Sequence, residues 1–238
     1  MKGIILAGGR GTRLYPMTTV TNKHLLPVYN KPMIYYPIQT LIKMGIDDIM
    51  IVTGKENAGD FLNLLGSGRD FGVRFTYRLQ EEADGIAGAL SLCQDFVSGE
   101  KVTVILGDNI FEDDFSEHLH SIGKCGGAMI FVKKVSDPSR FGVVSFDENM
   151  KVEDIEEKPK NPKTKWVQTG LYIYDCSLFE KIQKLKPSER GEYEITDVNL
   201  DYLKQDKLKA GTIKGLWSDA GTPESLLKTA KRIRVKTF

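Results

Sequence analysis

The sequence has few cysteines and no long apolar segment. Its three cysteines, Cys93, Cys125 and Cys176, are widely spaced and form no C-x-x-C pair. This spacing predicts reduced thiols and argues against a disulfide framework or a cysteine metal site. No apolar run approaches the roughly 20 residues that cross a bilayer, and the run after Met1 is too short for a signal peptide. These absences predict a cytoplasmic protein that is not embedded in a membrane.

Acidic residues are missing from the first 46 positions, which carry six basic residues. The whole chain has a formal net charge of only +1, which argues against a protein that coats nucleic acid. The basic N-terminal segment is consistent with binding of a polyanion, although a chance fluctuation in surface charge would give the same pattern. Contents of 41% hydrophobic and 27% charged residues exclude a disordered or collagen-like chain.

Apolar runs alternate with amphipathic segments in the first 135 residues. Predicted strands cover residues 4–7, 48–53, 74–80, 102–106 and 129–135, and predicted helices cover 32–44, 60–65, 86–96 and 114–122. This alternation predicts right-handed βαβ units and a mainly parallel sheet.

The second half of the sequence has a different pattern. Strand-like segments at 141–146, 152–156 and 166–174 lie close together, which predicts antiparallel additions to the sheet, and predicted helices follow at 177–185, 196–205 and 223–234. We find no internal repeat, low-complexity tract or linker. We therefore predict one α/β domain over residues 1–238.

A glycine-rich loop follows the first predicted strand, with the sequence L-A-G-G-R-G-T-R-L from Leu6 to Leu14. Main-chain N–H groups in such a loop approach phosphate oxygens closely, and Arg13 can add a bidentate charged contact. The P-loop spacing GxxxxGK(S/T) is absent, and Leu14 stands where a dinucleotide-binding fingerprint needs a third glycine. The loop indicates a phosphate site of another kind, or only a tight turn with surface arginines.

The pattern G-G-x-G-T-R-L-x-P-x-T from Gly8 to Thr18 is followed by N-K-H-L-L-P from Asn22 to Pro27. Together these blocks closely resemble the sugar-nucleotide pyrophosphorylase family, in particular its thymidylyltransferase branch. The resemblance runs from Lys2 to about Lys228. It implies a nucleotide-diphospho-sugar transferase fold, in which a Rossmann-like, mixed but mainly parallel sheet is flanked by helices. It also implies a nucleotide-binding half over about 1–110 and a sugar-phosphate-binding half over about 111–238.

The resemblance implies an Mg²⁺-dependent transfer in which dTTP and glucose 1-phosphate give dTDP-glucose and pyrophosphate. The same chemistry on UTP or another hexose 1-phosphate is the enzymatic alternative, and a non-catalytic subunit that binds nucleotide sugars is the alternative of another class. No nucleic acid or membrane partner is implied. Family members are commonly homo-oligomers, so a dimer or a tetramer is expected.

The nucleotide half of the implied site uses the glycine-rich loop and the block after it. The resemblance assigns nucleotide binding to the following residues: Gly8, Gly9, Gly11, Thr12, Arg13, Lys23 and His24. Many family members carry glutamine at the position of His24. Gln80 and Gly85 match a Q-x(4)-G element for the pyrimidine base, since a glutamine amide both donates to and accepts from a base edge. Taken alone, this segment could be any loop.

Two aspartates are implied as metal ligands. Asp108 follows the predicted strand 102–106, and a carboxylate at the carboxyl end of a central strand is well placed to hold Mg²⁺ against phosphates. Asp219 lies in a segment similar to the family's W-x-D-x-G-T element. Each aspartate could instead cap a turn or a helix, and the sequence does not show that the two meet.

The sugar half of the implied site comes from later segments. The resemblance assigns it to Asn109, Gly142, Glu157, Lys158, Gln168, Gly170 and Tyr172, with Arg13, Lys23 and Lys158 placed against the reacting phosphates. Glu157 and Lys158 could equally be a solvated strand end. Gln168 stands where the thymidylyltransferases usually carry an apolar residue, which leaves the sugar open.

Three further expectations concern segments outside this site. We interpret residues 190–197 as chiefly structural and residues 112–114 as a solvated helix start. Measured against the family's longer members, the chain ends just after its last predicted helix. We therefore expect it to lack their C-terminal extension and to show weak or altered inhibition by nucleotide products.

Overall fold

The computed structural model describes residues 1–123 and 126–237. The strands in these residues are β1 Lys2–Ala7, β2 Pro27–Val28, β3 Lys31–Pro32, β4 Asp48–Gly54, β5 Arg74–Gln80, β6 Val102–Leu106, β7 Asn109–Phe111, β8 Ala128–Lys134, β9 Gly142–Phe146, β10 Val152–Glu157, β11 Trp166–Tyr174, β12 Leu208–Thr212 and β13 Trp217–Asp219. The α-helices are α1 Tyr35–Lys43, α2 Ala58–Leu65, α3 Ile86–Ser91, α4 Gln94–Val97, α5 Leu178–Ile182, α6 Ile195–Lys204 and α7 Pro223–Thr237.

The centre of the main sheet is parallel, in the order β6-β1-β4-β5. Strand β1 is apolar on both faces because helices cover the sheet from both sides. Ile4 and Leu6 belong to one core cluster, and Ile5 and Ala7 belong to the other. This period of two explains why β1 reads as a continuous apolar run.

Antiparallel strands from the second half extend the same sheet. Strand β11 pairs antiparallel with β6, β8 and β9, and β10 pairs with β9. Strand β12 runs parallel to β8. The predicted α/β fold, with a mainly parallel centre and added antiparallel strands, is confirmed.

A two-stranded sheet of β7 and β13 was not predicted from the sequence. The two strands are antiparallel and place Asp219 opposite Asn109. The main chain continues this contact, because Ala220 N–H donates to the Asp108 carbonyl oxygen at 3.0 Å. The small sheet therefore brings the two predicted metal ligands to the same place.

Four predicted helices are shorter than expected, and one of them, 177–185, is α-helical only over α5. The predicted helix 32–44 is α-helical only over α1, because Pro32 belongs to the short strand β3. The predicted helix 86–96 is divided into α3 and α4, and Ser91 Oγ donates to the Gly88 carbonyl oxygen at the end of α3. The predicted helix 114–122 is only a 3₁₀ turn, Ser116–His120. Asp114 accepts the Ser116 N–H there, a local bond that competes with an α-helical start.

Two of the three cysteines can be placed. Cys93 is buried in the core and Cys176 is partly buried, and within residues 1–123 and 126–237 neither forms a disulfide. The prediction for Cys125 lies outside the described residues. In the same described part of the chain, no helix combines the length and the apolar character needed to cross a membrane.

Candidate active site

Two adjoining cavities open where the parallel strands end, the edge at which α/β sheets place their ligands. The larger has a volume of about 680 Å³ and the smaller about 240 Å³. The cavities share lining residues, and Asp108 lies on the wall of both. A ligand with two parts could therefore occupy both cavities, with its junction at Asp108.

The glycine-rich loop lies against Lys23, which follows it in the sequence. A Cβ on Gly11, whose φ is +67°, would lie 2.8 Å from the Cβ of Lys23, so both the backbone conformation and the close contact favour glycine. Gly8 and Gly9 line the smaller cavity, and Arg13 lines the larger one. Gly11 and Thr12 line neither of these two cavities, so their predicted contact with the nucleotide stays a prediction.

A short ion pair stands at the junction of the cavities. Lys23 Nζ lies 2.5 Å from Asp108 Oδ2, and the Asn109 side-chain amide donates to Asp108 Oδ1 at 3.0 Å. Burial alone raises the pKa of Asp108, but the Lys23 charge and these hydrogen bonds outweigh it and hold the pKa well below its usual range. Asp108 is therefore a carboxylate at neutral pH.

Asp219 lies beside this pair, but its negative charge is less well compensated by neighbouring cations and hydrogen-bond donors. Its carboxylate accepts the Gly221 N–H at 3.0 Å, and Arg140 Nη2 is 3.7 Å away. Burial and the negative charge of Asp108 raise the pKa of Asp219, while the nearby cations oppose the shift. Two carboxylates that repel each other in a half-buried cleft form a site where a further cation is favourable.

The donor set fits Mg²⁺. Asp108 and Asp219 offer the oxygen ligands that Mg²⁺ prefers, and Mg²⁺ usually takes only one or two carboxylates and completes its shell with water and phosphate oxygens. The described residues contain no cluster of three or more His, Cys, Asp or Glu side chains suited to a metal. This pair would hold the ion only together with a phosphate-bearing substrate.

Gln80 forms one wall of the smaller cavity. Its Nε2 donates to Asp84 Oδ1 at 3.0 Å, and its Oε1 would lie 2.4 Å from a Cβ on Gly8. The contact with Asp84 fixes which end of the amide faces Gly8. The carbonyl end of the Gln80 amide therefore remains as a hydrogen-bond acceptor. The sequence had indicated only that the amide can both donate and accept.

His24 is completely buried beside the same cavity. Asn22 caps the 3₁₀ turn Lys23–Leu25, and its side-chain oxygen accepts the His24 N–H and lies 2.6 Å from the ring Nδ1. Burial, followed by the adjacent Lys23 charge, lowers the pKa of His24 to about 3. The imidazole is thus neutral at physiological pH and adds no charge to the phosphate site.

Replacing His24 by glutamine should reduce the acid sensitivity of the fold. In the folded chain the pKa is about 3, whereas an unfolded histidine titrates near 6.5. Folding stability from the neutral ring is therefore complete above about pH 6.5 and is lost as the pH falls toward 3. When the pH is lowered from 7 to 5, the unfolding free energy of His24→Gln should fall by about 1–2 kcal/mol less than that of the wild type. Urea titrations at each pH measure this difference.

His120→Gln is the matched control, because His120 is exposed on a 3₁₀ turn. It should show the same pH dependence as the wild type. Equal losses in the wild type and in His24→Gln would contradict the buried neutral imidazole.

The predicted sugar-binding residues lie together around the larger cavity. All seven line it: Asn109, Gly142, Glu157, Lys158, Gln168, Gly170 and Tyr172. Lys158 has a φ of +43°, which is uncommon for a residue with a side chain, and its ammonium lies 3.3 Å from Glu157 Oε1. The residues that the sequence resemblance implied therefore line the same cavity, although the resemblance did not specify their individual contacts.

Some of these side chains already have partners within the protein. The Asn109 side-chain oxygen accepts from Gly170 N–H at 2.9 Å and from the Trp217 indole at 2.7 Å. A Cβ on Gly170 would lie 2.7 Å from Asn109 Cγ, so no side chain fits there. Asn109 thus braces the cavity wall, and this bracing joins β7, β11 and β13.

Sequence reasoning missed part of the site. In the segment 190–197, which we interpreted as chiefly structural, Glu192 and Glu194 line the larger cavity and Thr196 hydrogen bonds to Glu157. The prediction of a solvated helix start at residues 112–114 is also wrong, since Asp113 accepts hydrogen bonds from the N–H groups of Lys214 and Gly215. Both contacts join segments distant in sequence, so no local pattern reveals them.

Comparison with known proteins shows the family of the chain. The family model described as "Nucleotidyl transferase" matches residues 2–236. A glucose-1-phosphate thymidylyltransferase of Neisseria gonorrhoeae is 48% identical over 98% of this chain and 83% of its own length, and that of Mycolicibacterium smegmatis is 45% identical over 98% and 82%.

Solved structures show the same fold. A Bacillus anthracis protein assigned as a glucose-1-phosphate thymidylyltransferase, crystallised with a sucrose, has 52% identity and a TM-score of 0.94 over 98% of this chain and 95% of its own. A UDP-glucose pyrophosphorylase complexed with UDP-glucose has a TM-score of 0.86 at 24% identity, covering 99% of this chain and 98% of its own, and supports the fold alone. On the family match and these identities, the chain belongs to the nucleotidyl transferase family.

Proposed function

We propose that this chain joins dTTP and α-D-glucose 1-phosphate to give dTDP-glucose and pyrophosphate. The observation that carries the proposal is the meeting of two cavities at Asp108, with Lys23 and Asp219 beside it. The smaller cavity has room for a pyrimidine base and carries the Gln80 amide on its wall, while the larger cavity is lined by polar groups suited to a hexose. The relatives that carry the name glucose-1-phosphate thymidylyltransferase support this substrate pair.

The reaction needs charge neutralisation more than acid–base chemistry. A sugar phosphate oxygen is anionic near neutral pH, so it can attack the α-phosphorus of the nucleotide without a general base. The new bond joins that oxygen to the α-phosphorus, and the bond to the β-phosphate oxygen breaks and releases pyrophosphate. Catalysis then depends on alignment and on compensation of phosphate charge.

We assign these tasks to residues around the junction. Arg13 and the backbone of the glycine-rich loop bind the triphosphate, Lys23 lies against the reacting phosphate, and Lys158 neutralises the sugar phosphate. Asp108 and Asp219 would hold Mg²⁺, which supplies positive charge against the phosphates and fixes their geometry when bound. Glu157 accepts hydrogen bonds from sugar hydroxyls.

The direct test is release of pyrophosphate from dTTP and glucose 1-phosphate in the presence of Mg²⁺. A parallel panel with UTP and with other hexose 1-phosphates decides between the proposed pair and the same chemistry on another pair. Turnover with dTTP and glucose 1-phosphate at the highest kcat/KM supports the proposal. Binding without turnover for every pair would instead indicate a non-catalytic nucleotide-sugar-binding subunit.

Arg13→Ala should weaken nucleotide binding. Arg13 lies on the wall of the larger cavity, with Nη2 2.9 Å from the position that a Cβ on Gly221 would take, and the proposal gives it a charged contact with the triphosphate. Loss of a charge-assisted hydrogen bond of about 1.5–3 kcal/mol predicts a KM for dTTP raised roughly 10- to 100-fold. Steady-state kinetics with the nucleotide varied measure this effect.

Arg69→Ala is the matched control, because Arg69 is an exposed arginine on another turn that lines neither cavity. Its KM for dTTP should stay near the wild-type value. If Arg13→Ala also keeps the wild-type KM, Arg13 has no part in binding the triphosphate.

A cytoplasmic location and a homo-oligomer of two or four subunits stay predictions.

A further inference from the structure

A chain of four hydrogen bonds runs through the protein interior and ends on Glu157. Tyr174 OH donates to Asn199 Oδ1 at 2.8 Å, and Asn199 Nδ2 donates to Gln168 Oε1 at 2.9 Å. Gln168 Nε2 donates to Thr196 Oγ1 at 2.6 Å, and Thr196 Oγ1 donates to Glu157 Oε2 at 2.5 Å. The first four of these residues are buried, with exposed fractions between 0% and 5%. We call them the Tyr174–Thr196 relay.

The charge on Glu157 dictates the direction of every bond in the relay. A carboxylate only accepts, so the single O–H of Thr196 must point to Glu157, and the Thr196 oxygen must then accept from the NH₂ end of Gln168. The carbonyl end of Gln168 therefore faces the NH₂ end of Asn199, whose own carbonyl end faces the Tyr174 hydroxyl. All four bonds share one polarity, and such bonds strengthen one another in a buried setting.

The relay is built from two elements of the fold that enclose the sugar side of the site. Thr196 and Asn199 are three residues apart on α6 and so face the same side of the helix. Gln168 and Tyr174 lie on β11, which forms the adjacent wall. Gln168 lines the larger cavity, whereas Thr196, Asn199 and Tyr174 do not. These three therefore influence a ligand only through Gln168 and Glu157.

The relay fixes one oxygen of Glu157 and leaves the other for a ligand. Oε2 is engaged by Thr196, while Oε1 lies 3.3 Å from Lys158 Nζ and 3.7 Å from Arg190 Nη1. The carboxylate is therefore held in one orientation, from which Oε1 can accept a hydrogen bond from a sugar hydroxyl. Held in this way, Glu157 loses less conformational entropy when a sugar binds.

We propose that Thr196, Gln168 and Asn199 are positioning residues that orient Glu157 for the hexose, and that they set the affinity for the sugar phosphate and not for the nucleotide. The inference rests on the proposed function, since it requires a sugar phosphate in the larger cavity. The inference also assigns a structural role to Gln168. Both ends of its amide are used inside the protein, so its role is to connect Asn199 to Thr196.

The same inference accounts for the glycine at position 142. A Cβ there would lie only 2.2 Å from Gln168 Nε2. Any side chain at 142 would push the Gln168 amide away from Thr196 and open the relay. Gly142 and Gln168 are therefore linked.

The test compares Thr196→Val, which keeps the shape but removes the hydroxyl, with Thr196→Ser, which keeps the hydroxyl. The wild type is first assayed with the nucleotide and sugar-phosphate panel, and the pair that it uses best serves for both variants. Thr196→Val should raise the KM for the sugar phosphate about tenfold or more and change the KM for the nucleotide less than about twofold. Thr196→Ser should restore most of the affinity for the sugar phosphate.

Each outcome decides the inference. An unchanged sugar-phosphate KM in folded Thr196→Val overturns it, as does an equal rise in both KM values that serine does not rescue, because that pattern indicates a general structural role. If Thr196→Val is not folded by circular dichroism, Tyr174→Phe decides. It removes only the hydroxyl at the start of the relay and should raise the sugar-phosphate KM about two- to threefold; no change overturns the inference. A wild type that turns over no pair rejects the proposed function and the inference together.

Discussion

Replacing Asp108 by asparagine is expected to lower kcat by a factor of about 100 or more. The substitution keeps the shape of the side chain and removes one of the two carboxylates proposed to hold Mg²⁺. Metal charge stabilisation of a reacting phosphate is worth several kcal/mol, and each 1.36 kcal/mol changes the rate about tenfold. Asp108 also carries the contact with Lys23 at 2.5 Å, so the variant loses the partner that holds this lysine at the junction.

The measurement is pyrophosphate release at saturating substrates over a range of Mg²⁺ concentrations. We expect the variant to need more Mg²⁺ for half-maximal activity as well as to turn over more slowly. Asp114→Asn is the control, since Asp114 is an exposed carboxylate that caps a local turn. Urea unfolding of both variants separates loss of chemistry from loss of fold. Near-full activity of Asp108→Asn would remove Asp108 from the metal site.

Phe131→Ala is expected to destabilise the fold by about 3–5 kcal/mol, the usual range for deletion of a buried aromatic ring. Phe131 lies on β8 with 1% of its surface exposed. Its ring makes an edge contact with Phe115 at a centroid distance of 4.8 Å and another with His118 at 5.2 Å. Gly211 on the neighbouring strand leaves room for the ring, because a Cβ there would lie 3.0 Å from it. The variant would leave a cavity among groups that cannot collapse freely.

Equilibrium unfolding in urea measures this loss. Tyr15→Ala serves as the comparison, because it also removes an aromatic ring but from a side chain that is 70% exposed. We expect its unfolding free energy to change by less than about 0.5 kcal/mol. A loss below about 1 kcal/mol in Phe131→Ala would contradict the packing described for β8.

The parts of the fold that could be predicted from the sequence are those with a strong local pattern. Strands β5, β6 and β11 have the predicted bounds, since their apolar runs or alternation and flanking turn residues mark both ends. The glycine-rich loop was located for the same reason. Its glycines and the following N-K-H-L-L-P block form a contiguous motif, and the family that they indicated is confirmed.

The parts that could not be predicted depend on contacts between distant segments. Strands β7 and β13 have three residues each, too few for a recognisable alternation. The predicted helix at 114–122 failed because side-chain carboxylates there bond to the backbone, and propensity does not report that competition. Likewise, no local sequence pattern indicates the hydrogen bond between Thr196 and Glu157, because this bond forms only where α6 packs across β10 and β11.

The pairing of β7 with β13 also has a consequence for synthesis of the chain. The Trp217 indole contacts Asn109 across 108 residues of sequence, and the same pairing places Asp219 opposite Asn109. At translation rates of roughly 5–20 residues per second, about 5–20 s separate the appearance of these two segments. During that interval the glycine-rich loop and Lys23 exist without the second carboxylate. A nascent chain could then contact nucleotide phosphates before both proposed Mg²⁺ ligands are present, so the complete centre forms only after residue 219 has been synthesised.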